Sequence, residues 1–144
     1  MRNLGADTEF FCELTKQINS IYEDYARTVG LSYTSLHMLH MIYLTENCTQ
    51  KMIADQTFLP KQTVHSVIQS FLKQGLVELY EFPEDRRIKT LHLTERGKIF
   101  ADGILPKITE AELNSLKQFD DSEREQLLKL MQKYVAVLAK EFGK

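Results

Sequence analysis

The chain has 144 residues, 43% of them hydrophobic, and a formal net charge of −2 at neutral pH. This length predicts a single domain, and the hydrophobic content excludes an intrinsically disordered chain. The sequence contains no apolar run long enough to cross a bilayer and no apolar secretory segment near its start. We therefore expect a cytoplasmic protein that has no membrane partner.

A net positive charge is confined to the middle of the chain. Residues 1–59 carry four Lys/Arg and seven Asp/Glu, residues 60–98 carry seven and five, and residues 99–144 carry seven and eight. Only the middle segment is net positive, at +2 against −3 and −1. A polyanion would therefore bind this segment rather than the whole surface.

The first predicted element is a long amphipathic helix from Thr8 to Val29, followed by Gly30 as a stop. Its apolar stripe consists of Phe11, Leu14, Ile18, Ile21, Tyr22 and Tyr25. This is a large apolar surface for a small domain, so we expect part of it to meet a second subunit. The alternative is that the chain's own core buries the whole stripe.

Ser32 can cap a second helix, from Tyr33 to Leu44. Its expected inward residues are Leu36, Leu39, Ile42 and Tyr43, with His37, Met38, His40 and Met41 on or near the flanks. Two histidines at i and i+3 could share a metal, but no further ligand has suitable spacing nearby. The sequence therefore predicts no metal or other cofactor.

A helix-turn-helix is predicted between residues 49 and 74. The first helix is capped by Thr49 and turns Met52 and Ile53 inward, and Pro60 suits the first position of the second helix. That helix ends near Gln74 and Gly75. The second helix of such a unit typically enters the DNA major groove.

The second helix has two distinct faces. Its apolar stripe consists of Val64, Val67, Ile68, Phe71 and Leu72. The opposite face consists of Lys61, Gln62, His65, Ser66, Gln69 and Lys73. These polar side chains suit base edges and phosphates, and the face carries no carboxylate.

A charged hairpin follows. Residues 76–82 and 88–93 alternate apolar and polar side chains, which is the period of a strand. The polar segment from Pro83 to Arg87 is expected to form the turn between them. Thr94 can then cap the next helix.

Two more helices are predicted after Gly97. The first contains Pro106, so we expect a bend between Gly103 and Pro106. Asp120 or Asp121 caps the second helix, which continues to the end of the chain. Its apolar residues are Leu127, Leu128, Met131, Tyr134, Val135, Leu138 and Phe142.

The combined pattern resembles the MarR family of winged-helix transcriptional regulators. The resemblance lies in Asp85-x-Arg87 and Leu93-Thr94-x-x-Gly97, on a hairpin that follows a helix with Lys61, Thr63 and Val64. It implies a mainly α fold with a small β-wing, and a homodimer that binds a palindromic operator, often under control of a small molecule or of oxidation. The expected parts are dimerisation helices in 1–30 and 99–144, a DNA-binding lobe in 32–97, the helix-turn-helix in 49–74 and the wing in 76–93.

Two sets of residues are predicted to contact double-stranded DNA. The recognition helix supplies Lys61, Gln62, Thr63, His65, Ser66, Gln69 and Lys73. The wing supplies Asp85, Arg86, Arg87 and Lys89. The arginines suit a narrow minor groove, and the resemblance implies that Asp85 positions Arg87. Ser66 stands where many family members have an arginine, so guanine readout is not expected there.

By analogy with family members, the resemblance also suggests an effector pocket for a small aromatic or carboxylate compound. Its candidate residues are Phe11, Tyr22, Tyr25, Tyr33, His37 and His40. The same side chains fit equally well as core. Cys12 offers an alternative, a redox-sensing regulator, although Glu9 and Glu13 disfavour a reactive thiolate there.

Other classes of function have less support. The sequence has no nucleophile motif, glycine-rich phosphate loop or metal-ligand spacing that would indicate an enzyme. A winged helix that binds another protein instead of DNA is the main competitor, because the fold does not fix its partner. The basic wing and the carboxylate-free helix face favour a DNA-binding regulator, most simply a repressor.

Overall fold

The computed structural model describes residues 3–144, which form six helices and a two-stranded antiparallel sheet. The elements are α1 (Leu4–Thr28), α2 (Tyr33–Leu44), α3 (Gln50–Thr57), α4 (Lys61–Lys73), β1 (Val77–Phe82), β2 (Asp85–Leu93), α5 (Glu95–Leu116) and α6 (Asp121–Glu141). The chain divides into two compact units between Ile104 and Leu105, within α5. Among the described helices, none combines the length and apolarity needed to cross a lipid bilayer.

Polar side chains start most of the helices as predicted. Ser32 and Thr49 each accept a backbone N–H from the first turn of the helix that follows. Asp120 forms a reciprocal capping box with Glu123 at the start of α6. The expected start of α1 at Thr8 is wrong, because Asn3 accepts the N–H of Gly5 and begins the helix at Leu4.

The core of the first unit is built around α2, which contacts α1, α3, α4 and β2. Leu36, Leu39 and Ile42 are buried as predicted. Met38, expected on a flank, is fully buried, whereas Tyr43 is 36% exposed and donates its hydroxyl to Asp102 at 2.7 Å. A helix covered on several sides buries more than one stripe, so a single-face pattern misassigns its flanks.

The helix-turn-helix has the predicted boundaries to within one residue. Pro60 is the N-cap of α4 rather than its first helical residue. Gly75 ends α4 at φ +71°, a left-handed conformation that glycine adopts freely. Phe58 ends α3 at φ +59° and ψ +18°, which costs a residue with a side chain about 1–2 kcal/mol.

The wing is a hairpin whose strands pair from Val77 and Leu93 at its base to Phe82 and Asp85 at its tip. The predicted turn from Pro83 to Arg87 is too long, because β2 already begins at Asp85. A register shift between Glu81 and Phe82 permits this pairing. The connection therefore consists of Pro83 and Glu84 alone.

Thr94 and Gly97 lock the base of the wing to the start of α5. The Thr94 hydroxyl donates to the carbonyl of Gly75 at 2.6 Å and accepts the N–H of Gly97 at 2.9 Å. A Cβ atom added at Gly97 would lie 1.9 Å from the carbonyl oxygen of Leu76. Only glycine permits this close approach of backbone to backbone.

Both units present helices with large exposed apolar side chains. In α1 only Ala26 is buried, and Leu14, Ile18 and Ile21 are exposed, so the chain's own core does not bury the whole stripe. In α6 no residue is buried. Its exposed apolar residues are Leu127, Leu128, Leu130, Met131, Tyr134, Val135, Val137 and Leu138. The helix α5 contains Pro106 and continues through it.

Candidate nucleic-acid interface

The outer face of α4 collects the polar side chains predicted for the recognition helix. Thr63 is partly exposed, and the exposed members of the set are Lys61, Gln62, His65, Ser66, Gln69 and Lys73. The helix contains no Asp or Glu along its whole length. The structure thus places hydrogen-bonding groups and two lysines on one solvent-facing surface.

Buried apolar residues on the opposite side of α4 determine the orientation of this face. Val64, Ile68 and Phe71 are each at most 1% exposed, and they anchor α4 in the core of the first unit. Their spacing of four and three residues directs the intervening polar residues outward. The apolar stripe read from the sequence therefore determines which side chains are presented to a ligand.

The start of α4 carries uncompensated positive potential. Its N-cap is Pro60, which makes no side-chain capping hydrogen bond, and its first turn contains no acidic residue. A helix N-terminus carries a partial positive charge and free N–H groups, which favour a phosphate. Lys61 adds a full charge at the same end.

At the wing tip, Asp85 holds Arg87. The backbone N–H and the Nε of Arg87 donate to Oδ1 of Asp85 at 3.0 and 3.2 Å, and an Nη donates to Oδ2 at 3.4 Å. These bonds lower the pKa of the Asp85 carboxyl from its ordinary value. The Arg87 side chain nevertheless remains 91% exposed, so its orientation is restricted while its charge faces solvent.

The other wing residues differ in their surroundings. Arg86 is exposed. The Nζ of Lys89 lies 2.9 Å from Oε1 of Glu81 on the opposite strand. Because this ion pair neutralises the ammonium locally, Lys89 has less charge available for a phosphate than the two arginines.

A polar network on the wing was not predicted. The hydroxyl of Tyr80 donates to Glu78, which raises the pKa of that tyrosine. The rings of Tyr80 and His92 lie 4.7 Å apart, and Nε2 of His92 is hydrogen-bonded to the Thr90 hydroxyl at 2.8 Å. These four residues occupy alternate strand positions paired across the hairpin, which is the signal that could have identified them.

The residues predicted for an effector pocket are brought together in part. The rings of Tyr22 and Tyr33 lie 5.3 Å apart, and those of Tyr33 and His37 lie 6.1 Å apart. The hydroxyl of Tyr25 donates to the Ile104 carbonyl at 2.7 Å. None of the six candidates is fully buried, and His37 is exposed.

A different groove opens on the first unit. It has a volume of about 440 Å³ and lies where the end of α2 meets β2 and the start of α5. Tyr43, Glu46, His92 and Lys98 are among its lining residues, and none of the predicted effector residues lines it. The lining residues come from separate parts of the chain between Ile42 and Lys98, so no local sequence pattern predicts this groove.

The two cysteines have contrasting environments. Cys48 is buried, and burial raises the pKa of its thiol to about 11. Its carbonyl accepts the N–H of Leu91 at 2.6 Å, which ties the loop before α3 to the wing. Cys12 lies exposed on α1.

Comparison with known proteins shows which proteins this chain resembles. A family model described as the MarR family matches residues 29–88, which cover α2, the helix-turn-helix and the first half of the wing. The HTH-type transcriptional regulator SarZ of Staphylococcus epidermidis is 28% identical over 121 residues, which is 84% of this chain and 80% of SarZ.

Solved structures extend the similarity to almost the whole chain. A MarR family regulator from Neisseria meningitidis is 27% identical, with a TM-score of 0.74 over 97% of this chain and 94% of its own. The Staphylococcus aureus MepR–DNA complex has a TM-score of 0.79 at 19% identity, over 91% of this chain and 95% of MepR. In these comparisons the mainly helical fold and its two-stranded wing recur, and the chain is similar to MarR family winged-helix transcriptional regulators in sequence over residues 29–88 and in fold over almost its whole length.

Proposed function

We propose that this regulator is a sequence-specific DNA-binding repressor that acts in the cytoplasm as a homodimer on a palindromic operator. The observation that carries the proposal is the exposed, carboxylate-free face of α4 beside a wing tip with two exposed arginines. The solved complex of MepR with DNA supports it, because MepR shares the fold.

The side chains of α4 divide between base edges and phosphates. Gln62 and Gln69 suit adenine, to which a carboxamide can donate and accept at once. His65 and Ser66 each offer a single bond to several bases, so they discriminate less. Lys61 and Lys73 lie at the two ends of α4, where they can reach the phosphates of the flanking backbone.

The wing adds a second contact. The exposed guanidinium of Arg87, held by Asp85, suits the minor groove, where narrow A·T-rich DNA concentrates negative potential. Arg86 adds charge beside it, and Lys89 contributes less because of its ion pair with Glu81. A site flanked by A·T-rich sequence is therefore expected.

The exposed apolar helices support the proposed homodimer. Monomers rarely leave continuous apolar faces in water, and α1 and α6 each present one. A second copy would cover both faces, and twofold symmetry would then require a palindromic site with half-sites about one DNA turn apart.

The proposal includes release from DNA by a small effector. The half-buried ring pair of Tyr22 and Tyr33, next to exposed His37, suits a small aromatic carboxylate. Such a ligand should weaken operator binding in the wild type, and less so in Tyr33→Ala. A series of aromatic carboxylates that leaves the affinity unchanged would contradict this part alone.

Binding measured at two salt concentrations tests the function. A duplex enriched from a random pool should bind much more tightly than a scrambled duplex, and both affinities should fall steeply as salt rises. A folded protein that binds neither duplex at low salt would instead support a winged helix that recognises a protein partner.

A further inference from the structure

Phe58 in the turn of the helix-turn-helix is both strained and exposed. Its backbone has φ +59° and ψ +18°, and its side chain is 91% exposed. The structure describes the whole segment 45–76, and within it Phe58 is the only exposed large apolar residue. Bulky residues adopt positive φ so seldom that such an outlier points to a role at the position.

Neither the backbone nor the core explains a phenylalanine here. After α1 and α4 the same left-handed conformation is adopted by Gly30 at φ +77° and Gly75 at φ +71°, as expected for helix ends. Phe58 gains little from burial, since most of its ring faces water. The side chain is therefore best explained by something outside this chain.

The turn that contains Phe58 lies at the N-terminal end of α4, the helix that we propose to contact DNA. The Thr57 hydroxyl donates to the Ile53 carbonyl at 2.6 Å and accepts the N–H of Leu59 at 3.3 Å, which fixes the turn on both sides of Phe58. Leu59, the N-cap Pro60 and the exposed Lys61 follow in the chain. Phe58 thus lies in the turn, two residues before the N-cap of the recognition helix.

We propose that Phe58 contacts the 5-methyl group of a thymine in the major groove and so helps to determine the operator sequence. The inference rests on the proposed DNA binding. Thymine is the base that presents a methyl group in that groove, and an apolar side chain is its expected partner. An uncharged ring without donors has no comparable reason to face a phosphate.

Replacing thymine by deoxyuridine tests the contact, because it removes only the methyl group. In the selected operator, each thymine of one half-site is replaced in turn. For the wild type, one or two replacements should weaken binding by about three- to fivefold, the effect of one buried methyl group. In Phe58→Gly that difference should vanish, and in Phe58→Leu, which keeps an apolar side chain, part of it should remain.

The outcomes separate this contact from the proposed function. A wild type that binds no duplex would overturn the DNA-binding proposal. A wild type that binds its operator but is insensitive to every replacement would overturn only the contact. An equal thymine preference in the wild type and in Phe58→Gly would do the same.

Folding of the variants is checked by thermal unfolding. Phe58→Gly and Phe58→Asn should unfold at the same or a higher temperature than the wild type, because both residues tolerate positive φ and little burial is lost. The asparagine variant, which restricts the backbone more than glycine, should also lose the thymine preference. A lower unfolding temperature for both would contradict the premise that Phe58 is strained.

Discussion

At the wing tip, a single carboxylate orients a single guanidinium. Asp85 accepts both a backbone and a side-chain hydrogen bond from Arg87, yet the arginine stays exposed. An exposed ion pair of this kind contributes little to stability. Its value in this account is that Arg87 needs less reordering when it meets DNA.

Arg87→Ala should weaken operator binding by roughly tenfold and reduce the slope of log K against log salt by about one counterion. The expected cause is the loss of one phosphate-proximal charge. Arg27→Ala is the matched control, because Arg27 is an exposed, ion-paired arginine on α1. If log K fell equally steeply with log salt for the wild type and for Arg87→Ala, Arg87 would not contact DNA, and the proposed role of the wing would be wrong.

The pKa of Asp85, followed by NMR, should lie below the ordinary aspartate value, because hydrogen bonds from Arg87 stabilise the carboxylate. A lowered folded-state pKa gives stability that is present above the unfolded pKa and lost as the pH falls through the folded one. The wing tip should therefore stay ordered at neutral pH and loosen only in acid. In Arg87→Ala the pKa should return towards its ordinary value, and no change would show that Arg87 is not the cause.

Individual contacts were predictable where a short motif implies them. The Asp85–Arg87 pair was expected from the resemblance to the MarR family, and the structure has the expected bonds. Phe58 was not predictable as an exposed residue, because no propensity favours an aromatic residue at positive φ. The ion pair of Lys89 with Glu81 depends on strand register, which the alternating pattern leaves open.

At the scale of elements, the joint between wing and α5 determines where the wing points. Thr94 bonds to Gly75 before the wing and to Gly97 after it, so one side chain ties both ends of the hairpin together. The motif Leu93-Thr94-x-x-Gly97 thus has a physical basis in a helix cap and a close approach of two backbone segments. The sequence indicated the cap but not the contact with Leu76.

Gly97→Ala should lower the free energy of unfolding by about 2–4 kcal/mol, because the new Cβ would overlap the Leu76 carbonyl, and backbone must move. Chemical denaturation measures the change. Gly103→Ala in the same helix is the control, since its Cβ would meet nothing within 4 Å. It should stabilise the protein by about 0.5–1 kcal/mol. Equal effects of the two substitutions would contradict the tight joint.

Element boundaries followed from the sequence wherever a cap or a glycine marks them. Ser32, Thr49, Asp120 and Gly75 act as predicted. The start of α1 was placed too late because Asn3 precedes the apolar repeat rather than belonging to it. The inward set of α2 was incomplete because several neighbours enclose that helix.

At the scale of the whole molecule, the apolar surfaces of α1 and α6 are the main feature that a single chain leaves unexplained. The sequence indicated that the stripe of α1 exceeds what one domain buries, and its members Leu14, Ile18 and Ile21 are indeed exposed. The proposed homodimer would cover this surface, and its twofold symmetry would predict a palindromic operator. The dimer contacts themselves are not readable from one chain, because a stripe pattern does not specify its partner.

Leu128→Glu combined with Val135→Glu should shift the protein from dimer to monomer in sedimentation velocity. Each residue is 59% exposed on α6, and a buried unpaired charge at an interface is costly. Dimer dissociation should be at least about tenfold more favourable, with a parallel loss of operator affinity. Gln126→Glu with Gln132→Glu supplies the same charge at exposed polar positions of α6 and should leave the dimer intact. If the variant with Leu128→Glu and Val135→Glu remained a dimer, the interface would have to lie outside this face of α6.

Selection of bound sequences from a random DNA pool, with the wild type and Gln62→Ala side by side, tests most directly whether the polar face of α4 reads bases. The wild type should enrich a palindrome, and Gln62→Ala should lose its preference at one symmetric pair of positions, by about 1–3 kcal/mol, and keep the others. Identical enriched sequences from both proteins, or none from either, would contradict the account.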